Sequence, residues 1–116
     1  LKLKFKLNNV EASKILADVP PENAFYFYTG IGSYTGKYAT NLLQFYEILK
    51  NIDVKSLEFH VEREDFENWL RFLGDIVLSL QIARIRKKRY MGENLRAKIC
   101  EVVKNRYEKL SNLSKT

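Results

Sequence analysis

Apolar positions recur at three- and four-residue spacing along most of the chain, a periodicity that predicts helices with one buried face. Residues 38–52 are the clearest case, with Leu42, Phe45, Tyr46, Leu49 and Ile52 on one stripe. Ser56 stands where it would cap a second helix running to about residue 63, offering Leu57, Phe59 and Val61 to the interior. Asp65 stands where it would cap a third, with Phe66, Trp69, Leu70 and Leu73 inward and Gly74 as a left-handed stop. Asp75 is the expected cap of a fourth helix over residues 76–89. Ile76, Val77, Leu78, Leu80, Ile82 and Ala83 are apolar on nearly all sides, which predicts a deeply buried first half. Tyr90, Met91 and Gly92 make a turn, and residues 93–110 carry Leu95, Ile99, Val102, Val103, Tyr107 and Leu110 on a last stripe. Residues 111–116 are expected to fray.

The N-terminal part breaks this rhythm. Residues 1–7 alternate Leu-Lys-Leu-Lys-Phe-Lys-Leu, the period of a half-exposed strand. Its natural partner would be residues 24–28, Ala-Phe-Tyr-Phe-Tyr; an extended arm laid across the helices is the equal alternative. Asn8 or Asn9 would cap a short helix over residues 10–18, with Val10, Ile15, Leu16 and Val19 apolar, until Pro20-Pro21 ends it. Residues 29–37, Thr-Gly-Ile-Gly-Ser-Tyr-Thr-Gly-Lys, fail the phosphate-loop test. Ile31 stands where the first glycine belongs, and Tyr38 where a hydroxyl residue must bind magnesium. They fail the dinucleotide pattern as well, because Thr35 replaces its third glycine. The expectation is a turn leading into the next helix, capped by Ser33 or Thr35. Caps, stripes and short connectors agree on an all-α or mainly α single domain over residues 1–116, with a core at 24–110 and an arm and short helix at 1–23. It is a bundle of about five helices with room for a short N-terminal β-hairpin.

Composition narrows the function classes. No apolar run is long enough to cross a membrane as a helix, and no signal peptide is legible. Cys100 is alone, which excludes an internal disulfide, and its apolar neighbours suggest a buried hydrophobe. These features together suggest a cytoplasmic protein. The chain does not begin with Met, so further residues are expected ahead of Leu1 in the gene product. The net charge of +6 favours acidic partners or nucleic acid, although a Lys-, Ile-, Tyr- and Asn-rich composition also follows from an AT-rich genome.

Charge is sharply divided. Residues 57–74 hold Glu58, Glu62, Glu64, Asp65 and Glu67 against two arginines, whereas residues 75–92 set five cations against Asp75. The cations Arg84, Arg86, Lys87, Lys88 and Arg89 could neutralise several phosphates, with Arg96, Lys98, Lys104 and Arg106 extending the patch and Tyr90 or Tyr107 stacking on bases. The competing reading is a solvated helix end that complements its own dipole and the acidic helices. The acids, strung along one surface, read as caps and dipole partners and not as a hydrolytic pair. The single His60 lacks companions for a zinc site, and a carboxylate partner at a helix junction is the simpler role. No metal or other cofactor is expected. Ser56, His60, Asp65, Trp69, Gly74 and Asp75 are read together as structural residues of that junction.

The motifs Ser56-Leu57-Glu58-Phe59-His60, Arg63, Asp65-Phe66-x-x-Trp69 and Gly74-Asp75, with Tyr34-Thr35-Gly36 and Leu95-Arg96, resemble an uncharacterised archaeal and bacterial domain of unknown function over residues 24–110. The resemblance implies a mostly helical domain in which His60 and Asp65 meet. That family often has glycine where this chain has Glu64, which implies a less sharp turn here. Three functions follow in order of expectation. The first is a non-catalytic binding or accessory module with a polarised basic surface, docking an acidic protein or a second copy of itself. The second is nucleic-acid binding through Arg84, Arg86, Lys87, Lys88 and Arg89. The third is an enzyme centred on His60, which would require that imidazole on the wall of an open cleft.

Overall fold

The computed structural model describes residues 7–116. Asn8 opens α1 (Asn9–Leu16) with a reciprocal cap, its side chain accepting from the Glu11 N–H while Glu11 accepts from the Asn8 N–H. A short 3-10 turn, Pro21–Asn23, leads into β1 (Phe25–Tyr28), which pairs antiparallel with β2 (Tyr34–Ala39). Four α-helices and a longer last one follow among the described residues: α2 (Leu42–Leu49), α3 (Val54–Glu62), α4 (Asp65–Leu73), α5 (Ile76–Lys88) and α6 (Gly92–Ser114). The longest, α6, is the spine against which α1, α2, α3 and α5 pack.

The hairpin corrects the expectation that a helix begins at Tyr38. Tyr34 and Tyr38 sit opposite Tyr28 and Tyr26, so residues 34–39 find cross-strand aromatic partners that outweigh a helix's local preference. Gly36, at φ +85°, lies where the register slips. The helix starts only after Asn41, whose side chain accepts from the Gln44 N–H, so neither Ser33 nor Thr35 is its cap. The Thr35 hydroxyl instead donates to the Phe27 carbonyl across the hairpin. The strand expected over residues 1–7 lies, apart from Leu7, outside the described residues.

Other boundaries shift for identifiable reasons. Asp53, not Ser56, caps α3 by accepting from the Lys55 N–H, and Ser56 is buried one turn inside with its hydroxyl unpartnered. Asp65 is the first residue of α4 and not its cap, because its carboxylate is turned towards His60 and Arg63. Glu64 makes the turn in a left-handed conformation at φ +64°, so the junction is tight although the residue is not glycine. Gly74 ends α4 at φ +100°, where a Cβ would be strained but not crowded. Asp75 caps α5 through the Leu78 N–H, as its position in the sequence indicates.

The largest correction concerns α5. Leu78, Ile82 and Ile85 face the core, but Ile76 and Leu80 are more than half exposed and Val77 is exposed as well. With apolar residues all round, the pattern could not say which side would find a neighbour, and only one side does. Val10 is likewise exposed, leaving Ala12 and Ile15 as the buried side of α1. The last helix is longer than the stripe over residues 93–110 indicates, since α6 continues to Ser114. Cys100 is half-buried, which pushes its thiol pKa up by desolvation.

Candidate functional site

The most developed concavity lies between β1, the hairpin turn and the α3–α4 junction. It is open to solvent and has a volume of about 690 Å³, within the range of small-molecule sites. Phe25, His60 and Trp69 are buried at its base; Tyr26, Tyr28 and Phe59 are half-buried walls; Ile31, Arg63 and Asn68 stand at the rim.

The base is assembled by an aromatic cluster. The Phe25 ring meets Phe27, Phe45, His60, Phe66 and Trp69 at centroid separations of 4.8–5.8 Å, mostly edge to face. Alternation along β1 sends Phe25 and Phe27 inward and Tyr26 and Tyr28 outward. The polar ends are tied down: Trp69 Nε1 donates to the Asn23 carbonyl at 2.9 Å, and the Tyr26 hydroxyl donates to the Pro21 carbonyl at 2.6 Å.

His60 is 3% exposed, and both ring nitrogens have partners. The Tyr28 backbone N–H donates to Nε2 at 2.8 Å, which forces the proton onto Nδ1; that nitrogen then donates to Asp65 Oδ2, also at 2.8 Å. Arg63 Nε donates to the same oxygen at 3.0 Å. Burial holds the His60 pKa below its ordinary value, opposed by Asp65 through its hydrogen bond and charge. The imidazole therefore joins three elements: it satisfies the free edge of β1, it belongs to α3, and it anchors the start of α4. It also lies beneath an open cleft beside a carboxylate, the position expected of the enzyme reading, but with no nitrogen left to receive or give a proton.

The basic residues do not form one patch. Arg86 turns inward, its Nε donating to Glu67 Oε2 at 2.7 Å, and that hydrogen bond raises its pKa. Arg96 donates to the Leu49 and Ile52 carbonyls at 2.7 Å each, satisfying the end of α2. Arg106 lies in the core against Asp75, with Nε 2.9 Å from Oδ2. What remains on the surface at the end of α5 is Arg84, Lys87, Lys88 and Arg89. Lys98 Nζ sits over the Tyr90 ring, 5.4 Å from its centroid.

Sequence reasoning placed Glu67 and Glu58 on an acidic surface and missed their pairing. Glu67 is 2% exposed, and Glu58 accepts from the Gly92 N–H to cap α6. The acid at position 67 was not distinguishable from its solvated neighbours, because its partner comes from another helix. The tyrosine wall was missed too. Its legible signal is the alternation in residues 25–28, whose partner the sequence left open between residues 1–7 and none, and which pairs instead with residues 34–39.

These features define a small, mainly helical domain with an aromatic cleft beneath a two-stranded ribbon. The chain belongs to a family of unknown function, DUF5752, which it matches over residues 7–104. No curated protein and no solved structure matches it.

Proposed function

We propose that the chain is a non-catalytic binding module and that the aromatic cleft is its recognition site. The observation that carries this reading is the engagement of both His60 nitrogens beneath an otherwise open, largely aromatic cleft. A general base or nucleophile activator needs a nitrogen within reach of the substrate proton, which counts against an enzyme centred on His60. Rings held by their own hydrogen bonds offer contact area at little entropic cost.

The test is a nuclear magnetic resonance screen of the labelled protein against mixtures of small polar and aromatic compounds. The expected outcome is saturable shifts confined to Tyr28, Phe59, Arg63 and the Trp69 indole. Shifts that gather only around Arg84 and Lys88 would overturn the cleft as the recognition site.

A second reading is supported by the four cations exposed at the end of α5, which suit an acidic protein or nucleic acid. Exposed Phe72, Ile76 and Leu80 on neighbouring α4 and α5 suit contact with a protein surface, including a second copy of the chain.

A further inference from the structure

We propose that the cleft and the outer face of the hairpin form one continuous site for a neutral oligosaccharide. This rests on the reading of the chain as a binding module and names its ligand class.

Tyr28, Tyr34, Tyr26 and Tyr38 form an unbroken row on the solvent side of the ribbon, with successive ring centroids 5.3, 5.9 and 5.3 Å apart. Tyr34 and Tyr38 are 45% and 48% exposed, and Tyr26 and Tyr28 also wall the cleft. Four adjacent phenol rings contribute little to the core, because the inward face of β1 is supplied by Phe25 and Phe27. Tyr26 and Tyr38 are stacked and cover one face of each other, so the surface the row offers is the open side of Tyr38 and the ring of Tyr34, tilted from both its neighbours, each about half exposed and carrying a negative quadrupole on its face. One face of a pyranose ring is a patch of slightly positive C–H groups. Laying it on a phenol buries apolar area while its hydroxyls stay wet or bonded at the edges.

The rim groups suit hydroxyls. Among the described residues, Asp65 uses only Oδ2, Arg63 only Nε and Asn68 only Oδ1. That leaves one carboxylate oxygen, the outer guanidinium N–H groups and an amide NH2 without protein partners, on three residues that line the same cleft. This mixture of planar donors and acceptors matches adjacent hydroxyls, each of which both gives and takes.

Charge decides against other stacking ligands. Arg63 and Asp65 are paired at 3.0 Å, so the cleft carries almost no net charge, and none of Arg84, Lys87, Lys88 or Arg89 lines it. A nucleic acid strand needs cations along its phosphates.

The test follows the emission of Trp69, the only tryptophan in the chain, during titration with maltohexaose, cellohexaose and chitohexaose, with decauridylate as the nucleic-acid probe. Each sugar is taken to about 10 mM, tenfold above an affinity of about 1 mM. At least one sugar should saturate. Tyr34→Ala should weaken it about fivefold to tenfold, and Tyr34→Ala with Tyr38→Ala further, while Lys109→Ala, exposed on α6 and outside the cleft lining, changes nothing. Both tyrosines are exposed, and unchanged circular dichroism melts would show the variants folded. No saturation with any sugar, or saturation indifferent to the tyrosines, overturns the oligosaccharide site. Saturation by decauridylate alone overturns it as well, while leaving the binding-module reading in place. Shortening of the sugar, seen by chromatography, would support the ligand class and remove the non-catalytic reading.

Discussion

At the scale of the residue, His60 is held at both ring nitrogens. Protonation would place an N–H on Nε2 against the Tyr28 N–H, so the folded protein holds the ring neutral. Its pKa is lowered by burial, against an unfolded value of about 6.5. Below that unfolded value the unfolded chain takes up a proton that the native state refuses. The contribution is therefore complete above about pH 6.5 and is lost as pH falls towards the folded value. Urea denaturation at a series of pH values should show midpoints dropping through this window, and His60→Ala should remove that part of the dependence. The same substitution should cost about 3 kcal/mol at neutral pH, because it leaves the Tyr28 N–H without a partner, Asp65 with Arg63 alone, and a cavity where the ring was. A pH profile identical in the variant would mean that the ring is not held as described. That His60 would pair with a carboxylate was legible in its acidic neighbours, and that the partner is Asp65 was implied by the family resemblance. That its other nitrogen would close a strand edge was not, because Tyr28 is distant in sequence and spacing left its strand partner open.

At the scale of the element, α5 separates what periodicity can say from what it cannot. Leu78 and Leu80 are the same residue type two positions apart, yet Leu78 is fully buried and Leu80 is 55% exposed. Leu78→Ala should cost about 3 kcal/mol, and Leu80→Ala about 0.5 kcal/mol or less. Thermal or urea unfolding of the two variants reads this directly, and equal losses would contradict the orientation of the helix. The caps at Asn8, Gly74 and Asp75 were legible because each acts through its own neighbours. The cap at Asp53 was overlooked because Ser56 offered the same chemistry three residues later. The second strand was hidden for a different reason. Tyr38 and Ala39 fit a helical stripe as well as a strand, and only the opposite tyrosines settle the matter.

At the scale of the whole molecule, charge segregated along the chain becomes partly internal. Glu67 with Arg86 and Asp75 with Arg106 join α4, α5 and α6 across the core, and removing one member of such a pair strands a buried charge. The basic run is therefore not a uniform patch. In a salt series with duplex DNA or single-stranded RNA, Lys87→Ala or Lys88→Ala should reduce the salt slope by about one if that end of α5 contacts phosphates. Arg86→Ala should instead lower stability by about 3 kcal/mol or more, and a flat, weak signal at low salt would remove the nucleic-acid reading. Helical periodicity, local caps and the turn glycines were written in the order of the residues, because each depends on neighbours within a few positions. Sequence alone was thus enough for a mainly helical domain and for a helix junction at His60 and Asp65. Docking chose the exposed side of α5, the cations that were drawn inward, and the tyrosine row beside the cleft. The inward cations depend on partners about 20 to 50 residues away and the tyrosine row on a strand pairing that spacing left open, so that packing and not spacing settles them.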